Sequence, residues 1–327
     1  MDELKIAPPE MKELASGVYA FLQTPAPFYS NTGLIVGKDY AIVVDTLTDG
    51  NMVENFIRKI KEVTHKPIRF VVNTHWHSDH IYTNHYFPDA LAICSSRTRK
   101  EILRLDPIEI ETLSQIIPKT ITTFKGSKIT IPDLTFDGTF TFYDGKREIQ
   151  LIDLGPGHSQ SDAIVYLPKE KIVFTGDLVT PSLEGMIPLR GGSYRLIKVL
   201  DTLASFDAHT FVPGHGSEVH SREEVARKAN AGIESLIVMR EEARKCFDQG
   251  MTYQEAADKI DYSKLGKWGD RKTLYGAVFC NLATAWNEFN GLPPGSDIDM
   301  EEALSVWLAG FLPVKGRLNL GMKKPQE

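Results

Sequence analysis

The chain has 327 residues, 42% hydrophobic and 24% charged, enough apolar material for one large or two modest cores and too much for a disordered chain. Its 37 basic residues stand against 43 acidic ones, a net charge of −6, and no run of Lys or Arg is long enough to follow a phosphate backbone, which argues against a nucleic-acid partner. No apolar stretch is long enough to span a bilayer, and Cys94, Cys246 and Cys280 are too few and too scattered for a disulfide framework or a zinc knuckle. With an N-terminus, MDELKIAPPEMKEL, that lacks the apolar segment of a secretory signal, these features predict a cytoplasmic protein that works away from membranes.

Residues 18–22, 33–36 and 41–45 read as short strands separated by the turn formers Pro25, Pro27, Asn31, Gly37 and Asp39, the pattern of an antiparallel meander. Asp49 can cap a helix in which Met52, Val53, Phe56, Ile57, Ile60 and Val63 share one face before Pro67. A strand at 68–73 follows. A second helical stretch is expected over 95–116, then strands around 121–123, 139–143 and 148–153. Residues 163–167 and 171–175 form a hairpin whose second strand ends at Asp177, much as the strand at 41–44 ends at Asp45, a hint of two similar halves. A helix near 193–205 leads to a strand at 210–212.

Beyond 220 the pattern turns helical. Ser221 with Glu224 and Thr252 with Glu255 are capping-box pairs, the first opening a helix that runs to Gly250, and further helices are expected at 270–290 and 299–311. The organisation expected is an α/β domain at 1–220 with a helical C-terminal region at 221–327. In that region Tyr275, Val278, Phe279, Leu282, Trp286 and Phe289 form an apolar stripe that must be covered. Packing against the first domain as a roof over its pocket is one cover. Pairing of two copies through Trp307 and Phe311 into a homodimer is the other.

The chemistry concentrates in THWHSDH, residues 74–80, where three of the nine histidines crowd the end of the strand at 68–73. Crowded imidazoles oppose one another's protonation and cost free energy unless something uses their lone pairs, and a metal ion is the obvious user. Residues two apart point the same way in extended chain, so His75 and His77 can reach one ion while Asp79 and His80 turn toward an adjacent point. Zinc wants four ligands, or three and a water when catalytic, so more donors must come from elsewhere. His158 in GPGHS, Asp177 and His215 in PGHG are candidates, each on a strand-end loop beside glycine that lets the backbone come close.

The ordered set T-H-W-H-S-D-H, PG-H158-S, TG-D177 and PG-H215-G resembles the metallo-β-lactamase superfamily over about residues 17–220. The resemblance implies a four-layer αββα sandwich with the helical appendage behind it. It implies two divalent metal ions, zinc foremost and iron or manganese as alternatives. By matching positions, His75, His77 and His158 would hold the first ion, Asp79, His80 and His215 the second, and Asp177 would bridge them. Asp45 would steady the ligands by hydrogen bonding without binding metal. Two such ions acidify a shared water that attacks the substrate, with Asp79 handling its proton.

No Cys falls in a ligand motif, so the oxygen and nitrogen set resembles the glyoxalase II and lactonase type rather than the β-lactamases with a cysteine ligand. A small, fairly apolar lactone, ester or thioester is the substrate expected, with β-lactam amide hydrolysis and hydrolytic dehalogenase or sulfatase chemistry as alternatives. A redox alternative is an iron-dependent persulfide dioxygenase, and a third reading is a metal-stabilised binding module without turnover. Phe28 and Tyr29 on one turn, and Arg190, Tyr194 and Arg195 after Asp177, are the substrate-facing candidates. Trp76, aimed opposite to His75 and His77, is expected to pack beneath the site.

Overall fold

The structure is a computed structural model that describes residues 8–24, 28–117, 119, 122–180, 191–268, 271–293 and 306. Pro25, Pro27, Arg190 and, but for residue 306, the helix expected at 299–311, with Trp307 and Phe311, lie outside the described residues.

The first sheet runs in sequence order through β1 (Glu10–Ala15), β2 (Val18–Leu22), β3 (Thr32–Val36), β4 (Ala41–Val44), β5 (Ile68–Val72), β6 (Leu91–Ser95) and β7 (Leu134–Phe136). It is antiparallel as far as β4 and parallel beyond it. Helix α1 (Gly50–Val63), α2 (Ser78–Ile81), α3 (Ser96–Ile102) and α4 (Ile108–Ile116) belong to this half. The second sheet takes β8 (Thr139–Asp144), β9 (Arg147–Gly155), β10 (Asp162–Leu167), β11 (Ile172–Phe174), β12 (Thr210–Val212) and β13 (His220–Ser221) in the spatial order β13-β12-β11-β10-β9-β8. Helices α5 (Ser193–Ser205), α6 (Arg222–Asp248), α7 (Tyr253–Lys259) and α8 (Arg271–Phe289) complete the described α-helices.

Strand alternation builds the layers. In β4, Ala41 and Val43 face α1 and its Val53, Phe56 and Ile60, while Ile42 and Val44 face the other sheet. In β10, Ala163, Val165 and Leu167 meet them, and Ile164 and Tyr166 turn out toward α5 and α6. The result is the expected αββα sandwich. The two halves repeat one another: β3 and β4, then α1, then a parallel β5, against β10 and β11, then α5, then a parallel β12.

Sequence periodicity missed four strands, β1, β6, β7 and the two-residue β13. The single helix expected over 95–116 is two, broken before Pro107 and preceded by β6. The strand expected near 121–123 is not formed at 122–123, because Thr122 Oγ1 (2.8 Å) and the Thr123 N–H (3.0 Å) are engaged by Asp49 Oδ2, whose other oxygen caps α1.

The apolar stripe of α8 is covered within the chain. Val278, Phe279, Leu282 and Trp286 are buried in one cluster with Leu200 of α5 and Leu236, Met239 and Ala243 of α6. The Trp286 indole donates to the Met251 carbonyl (3.0 Å). The helices after residue 221 therefore share a core with the outer face of the second sheet. No helix among the described residues is long and apolar enough to cross a membrane.

Candidate metal centre

The carboxyl ends of β4, β5, β11 and β12 and the turn between β9 and β10 converge on one edge of the sandwich, each delivering a polar side chain. Asp45, at φ 56°, follows β4 and accepts the Thr74 N–H (2.7 Å), the Thr74 hydroxyl (2.7 Å) and His80 Nδ1–H (2.9 Å). Since the Thr74 hydroxyl spends its proton on Asp45, it accepts from His75 Nδ1 (3.0 Å). His215 Nδ1–H in turn donates to the Tyr29 carbonyl (2.9 Å). These three contacts orient the rings so that Nε2 of His75, His80 and His215 faces inward.

Two groups of donors result: His75, His77, His158 and Asp177, and beside them Asp79, His80 and His215. His77 Nδ1 lies 3.0 Å from both His75 Nε2 and His158 Nε2. Asp177 Oδ2 lies 3.4 Å from His158 Nε2 and 3.3 Å from His215 Nε2, while its Oδ1 is 3.2 Å from His80 Nε2. Asp79 Oδ2 is 3.2 Å from His215 Nε2. Asp177 thus touches both groups, and Asp45 touches ligand candidates without entering either.

Whether these residues suit a metal ion follows from their unsatisfied atoms. His80 Nε2 and Asp177 Oδ1 are buried, face each other and find no hydrogen bond. His77 Nδ1 can make at most one hydrogen bond, yet meets two inward nitrogens. Converging lone pairs of this kind are tolerable around a cation. Burial and the neighbouring imidazoles hold His75 and His77 well below the ordinary histidine range, as neutral donors. Burial also opposes charge on Asp177 and Asp79, but His215 and His80 outweigh it and keep both carboxyls ionised. The same carboxylates overcome burial on His215 and lift it to about 10, and they raise His80 well above its usual value. The centre demands positive charge, which protons or divalent metal can supply, and metal binding would displace those protons.

Other residues of the centre carry no sequence motif. Asp162 accepts the Ser159 N–H (3.0 Å) and hydroxyl (2.7 Å) and so holds the His158 turn; burial pushes its carboxyl up to about 6. Trp76 is buried beneath the site as expected, its indole donating to Gln160 (2.9 Å) and so tying the His75–His77 loop to the His158 turn. Ser30 donates to the Asp79 carbonyl, and Asn31 bonds the loop that carries His215. Gly214 is obligatory in shape: a Cβ there would stand 2.0 Å from Asp177 Oδ1.

The substrate-facing candidates are less uniform. Phe28 packs edge-on against Phe124 (5.6 Å), and Tyr29 is half-buried with its carbonyl engaged by His215. Tyr194 is exposed in the first turn of α5, its ring beneath Lys198 (4.7 Å) and Arg240 (5.6 Å). Arg195 is exposed beside it. Of the remaining histidines, His65 and His209 are exposed and His220 is buried beside Glu224 (2.9 Å).

Comparison with known proteins places this geometry. The chain is 21% identical over 302 residues to a linear primary-alkylsulfatase from Pseudomonas sp., covering 82% of this chain and 57% of that protein. It superposes on the stereoselective inverting sec-alkylsulfatase Pisa1 from Pseudomonas sp. with a TM-score of 0.64 at 17% identity, over 88% of this chain and 51% of that one. The chain therefore spans little more than half the length of these relatives. A metallo-beta-lactamase from Pontibacter korlensis superposes with a TM-score of 0.52 at 21% identity, over 68% of this chain and 99% of that one. Residues 25–215 match the family described as the metallo-beta-lactamase superfamily. With well over half its length in that match, the chain belongs to the metallo-beta-lactamase superfamily.

Proposed function

We propose that the chain is a two-zinc hydrolase of alkyl sulfate esters. The observation that carries the substrate class is the extent of the likeness. The β-lactamase match covers 68% of the chain, about the share that its first 215 residues make up, whereas an 88% match to an alkylsulfatase necessarily runs into the helices. The lactone, ester or thioester expected from the ligand set has no counterpart among these relatives, and the sulfatase alternative replaces it. Soluble, cytoplasmic action on a small molecule remains part of the proposal, without nucleic-acid or membrane partner. So does the division into a catalytic region at 1–220 and a helical region at 221–327, with a homodimer as a further arrangement.

In this reading His75, His77 and His158 would hold one ion and Asp79, His80 and His215 the other, with Asp177, which contacts both groups, available to each. Bound there, two divalent ions would lower the pKa of a shared water toward neutrality and polarise a substrate oxygen. Asp79, whose Oδ2 lies 3.2 Å from His215 Nε2, would take up the proton of the attacking water and pass it to the leaving group. Asp45 and Thr74 keep His75 and His80 aimed, so the ligands need no reorganisation as charge develops.

The test is a substrate panel on the purified, zinc-loaded protein. Sulfate release from primary and secondary alkyl sulfates is followed by ion chromatography, beside a β-lactam, a lactone, a thioester and an aryl ester, with dissolved oxygen monitored. Sulfate release without oxygen uptake is expected. Turnover of a lactone or thioester with no sulfate release would refute the substrate class, and oxygen consumption with a persulfide would refute the hydrolase.

A further inference from the structure

We propose that Asn31 is a positioning residue for the second metal position, the one that His215 completes. The inference rests on the two-metal reading above and adds a residue that touches neither substrate nor metal. Asn31 is 3% exposed, and its amide is fully used: Oδ1 accepts the Gln23 N–H (2.9 Å), while Nδ2 donates to the carbonyls of Pro213 (3.0 Å) and Gly216 (2.9 Å). With one N–H and two carbonyls facing it, only one orientation of the amide satisfies all three. Its backbone N–H donates to the carbonyl of Gly214 (2.6 Å). One residue thereby grips the 213–216 loop on both sides of His215, across more than 180 positions of sequence.

The neighbouring backbone extends the grip. Ser30 pairs with His215 as an isolated β-bridge, and the Tyr29 carbonyl fixes the His215 ring. Ser30 also reaches the Asp79 carbonyl, so residues 29–31 contact the loops of two of the three donors in the second group. The first group is held by other means: Asp45 and Thr74 for His75, Asp162 and Gln160 for the His158 turn. Loss of the Asn31 amide should therefore weaken one position and spare the other. Groups that orient metal ligands commonly change metal affinity by about ten- to a hundredfold when removed.

The experiment titrates zinc into metal-stripped full-length protein against a chelating dye, with circular dichroism to check the fold. Asn31→Ala removes all three amide bonds. Asn31→Asp keeps the shape and the Gln23 contact but sets a carboxylate against two carbonyl oxygens. Gln23→Ala is the control, since it loses the side-chain bond to Ser30 yet keeps the backbone N–H that Asn31 accepts. Two sites in the wild type and in Gln23→Ala are expected, with one site intact and the other about ten- to a hundredfold weaker in both Asn31 variants. Two unchanged sites in Asn31→Ala, an equal loss in Gln23→Ala, or failure of both Asn31 variants to fold would overturn the assignment. A wild type that binds fewer than two ions would instead remove the two-metal reading itself, and this one with it.

Discussion

Gly214→Ala tests the spacing of the centre with a single methyl group. The added carbon would lie 2.0 Å from Asp177 Oδ1, 2.7 Å from the Gly176 carbonyl carbon and 2.8 Å from the Asp177 nitrogen. Non-bonded carbons settle at about 3.5–4.0 Å, so the 213–215 and 176–177 segments must part by about 0.8 Å or more, and the Asp177 carboxylate must retreat further. The loop cannot swing clear, because the Gly214 N–H is bonded to the Gly176 carbonyl (2.8 Å) and Asn31 holds its carbonyl. Overpacking of this kind costs about 1–3 kcal/mol, offset by about 0.4–1 kcal/mol from the stiffer unfolded chain. Displacement of a reacting group by about 1 Å can cost about a hundredfold in rate, which is the loss expected in kcat. Zinc content, thermal melting and sulfate release would be compared with Gly138→Ala, where φ is +64° and nothing lies within 4 Å. The control should lose about 1 kcal/mol of stability and no activity. A Gly214→Ala protein with two zinc ions and wild-type turnover would refute the reasoning.

Asp177→Ala, which removes the carboxylate shared by both groups of donors, should lower zinc from two toward one per chain; unchanged stoichiometry by elemental analysis would mean that it supports the ligands only from outside. Burial pushes the Cys94 and Cys280 thiols up to about 12, so at pH 8 both stay protonated and a thiol reagent should label only Cys246 in the folded protein, as peptide mass mapping would show. Phe56→Ala opens a cavity under α1, where the ring meets Phe21 at 5.1 Å. It should cost about 3–5 kcal/mol in urea unfolding while leaving zinc content unchanged, and a loss below about 1 kcal/mol would contradict the packing described.

The elements with an uninterrupted apolar run or a helical stripe were legible in the sequence. β2, β4, β5, β10 and β11 are short apolar runs, and α1 shows its buried face as a helical stripe. β1 was not legible because it is an edge strand with polar, mostly uncovered side chains, and β7 is only three residues long. β6 runs straight into the N-cap of α3 at Ser95, so its apolar residues read as part of the helix. The seven donors were legible because metal chemistry restricts residue type and places it after strands. Asn31, Gln160 and Asp162 were not, since hydrogen bonds that brace loops leave neither a periodicity nor a fixed motif in the sequence. Phe28 and Tyr29 were expected to face substrate, and the main visible work of residues 28–31 is done by backbone and amide groups that hold other loops.

Gly33 of β3 lies flat beneath the Phe174 ring of β11, so close that a Cβ would fall 2.5 Å from the ring. These residues belong to different sheets, and so do the donors: His75, His77, Asp79 and His80 follow β5, whereas His158, Asp177 and His215 come from the second sheet. The thickness of the apolar layer between the sheets therefore acts as a gauge for the distance across the centre. Gly33→Ala would thicken that layer from within and shift one half of the donors against the other, while a thinner residue at 174 would let them close. Tuning of the centre can consequently come from buried hydrocarbon that never meets the substrate.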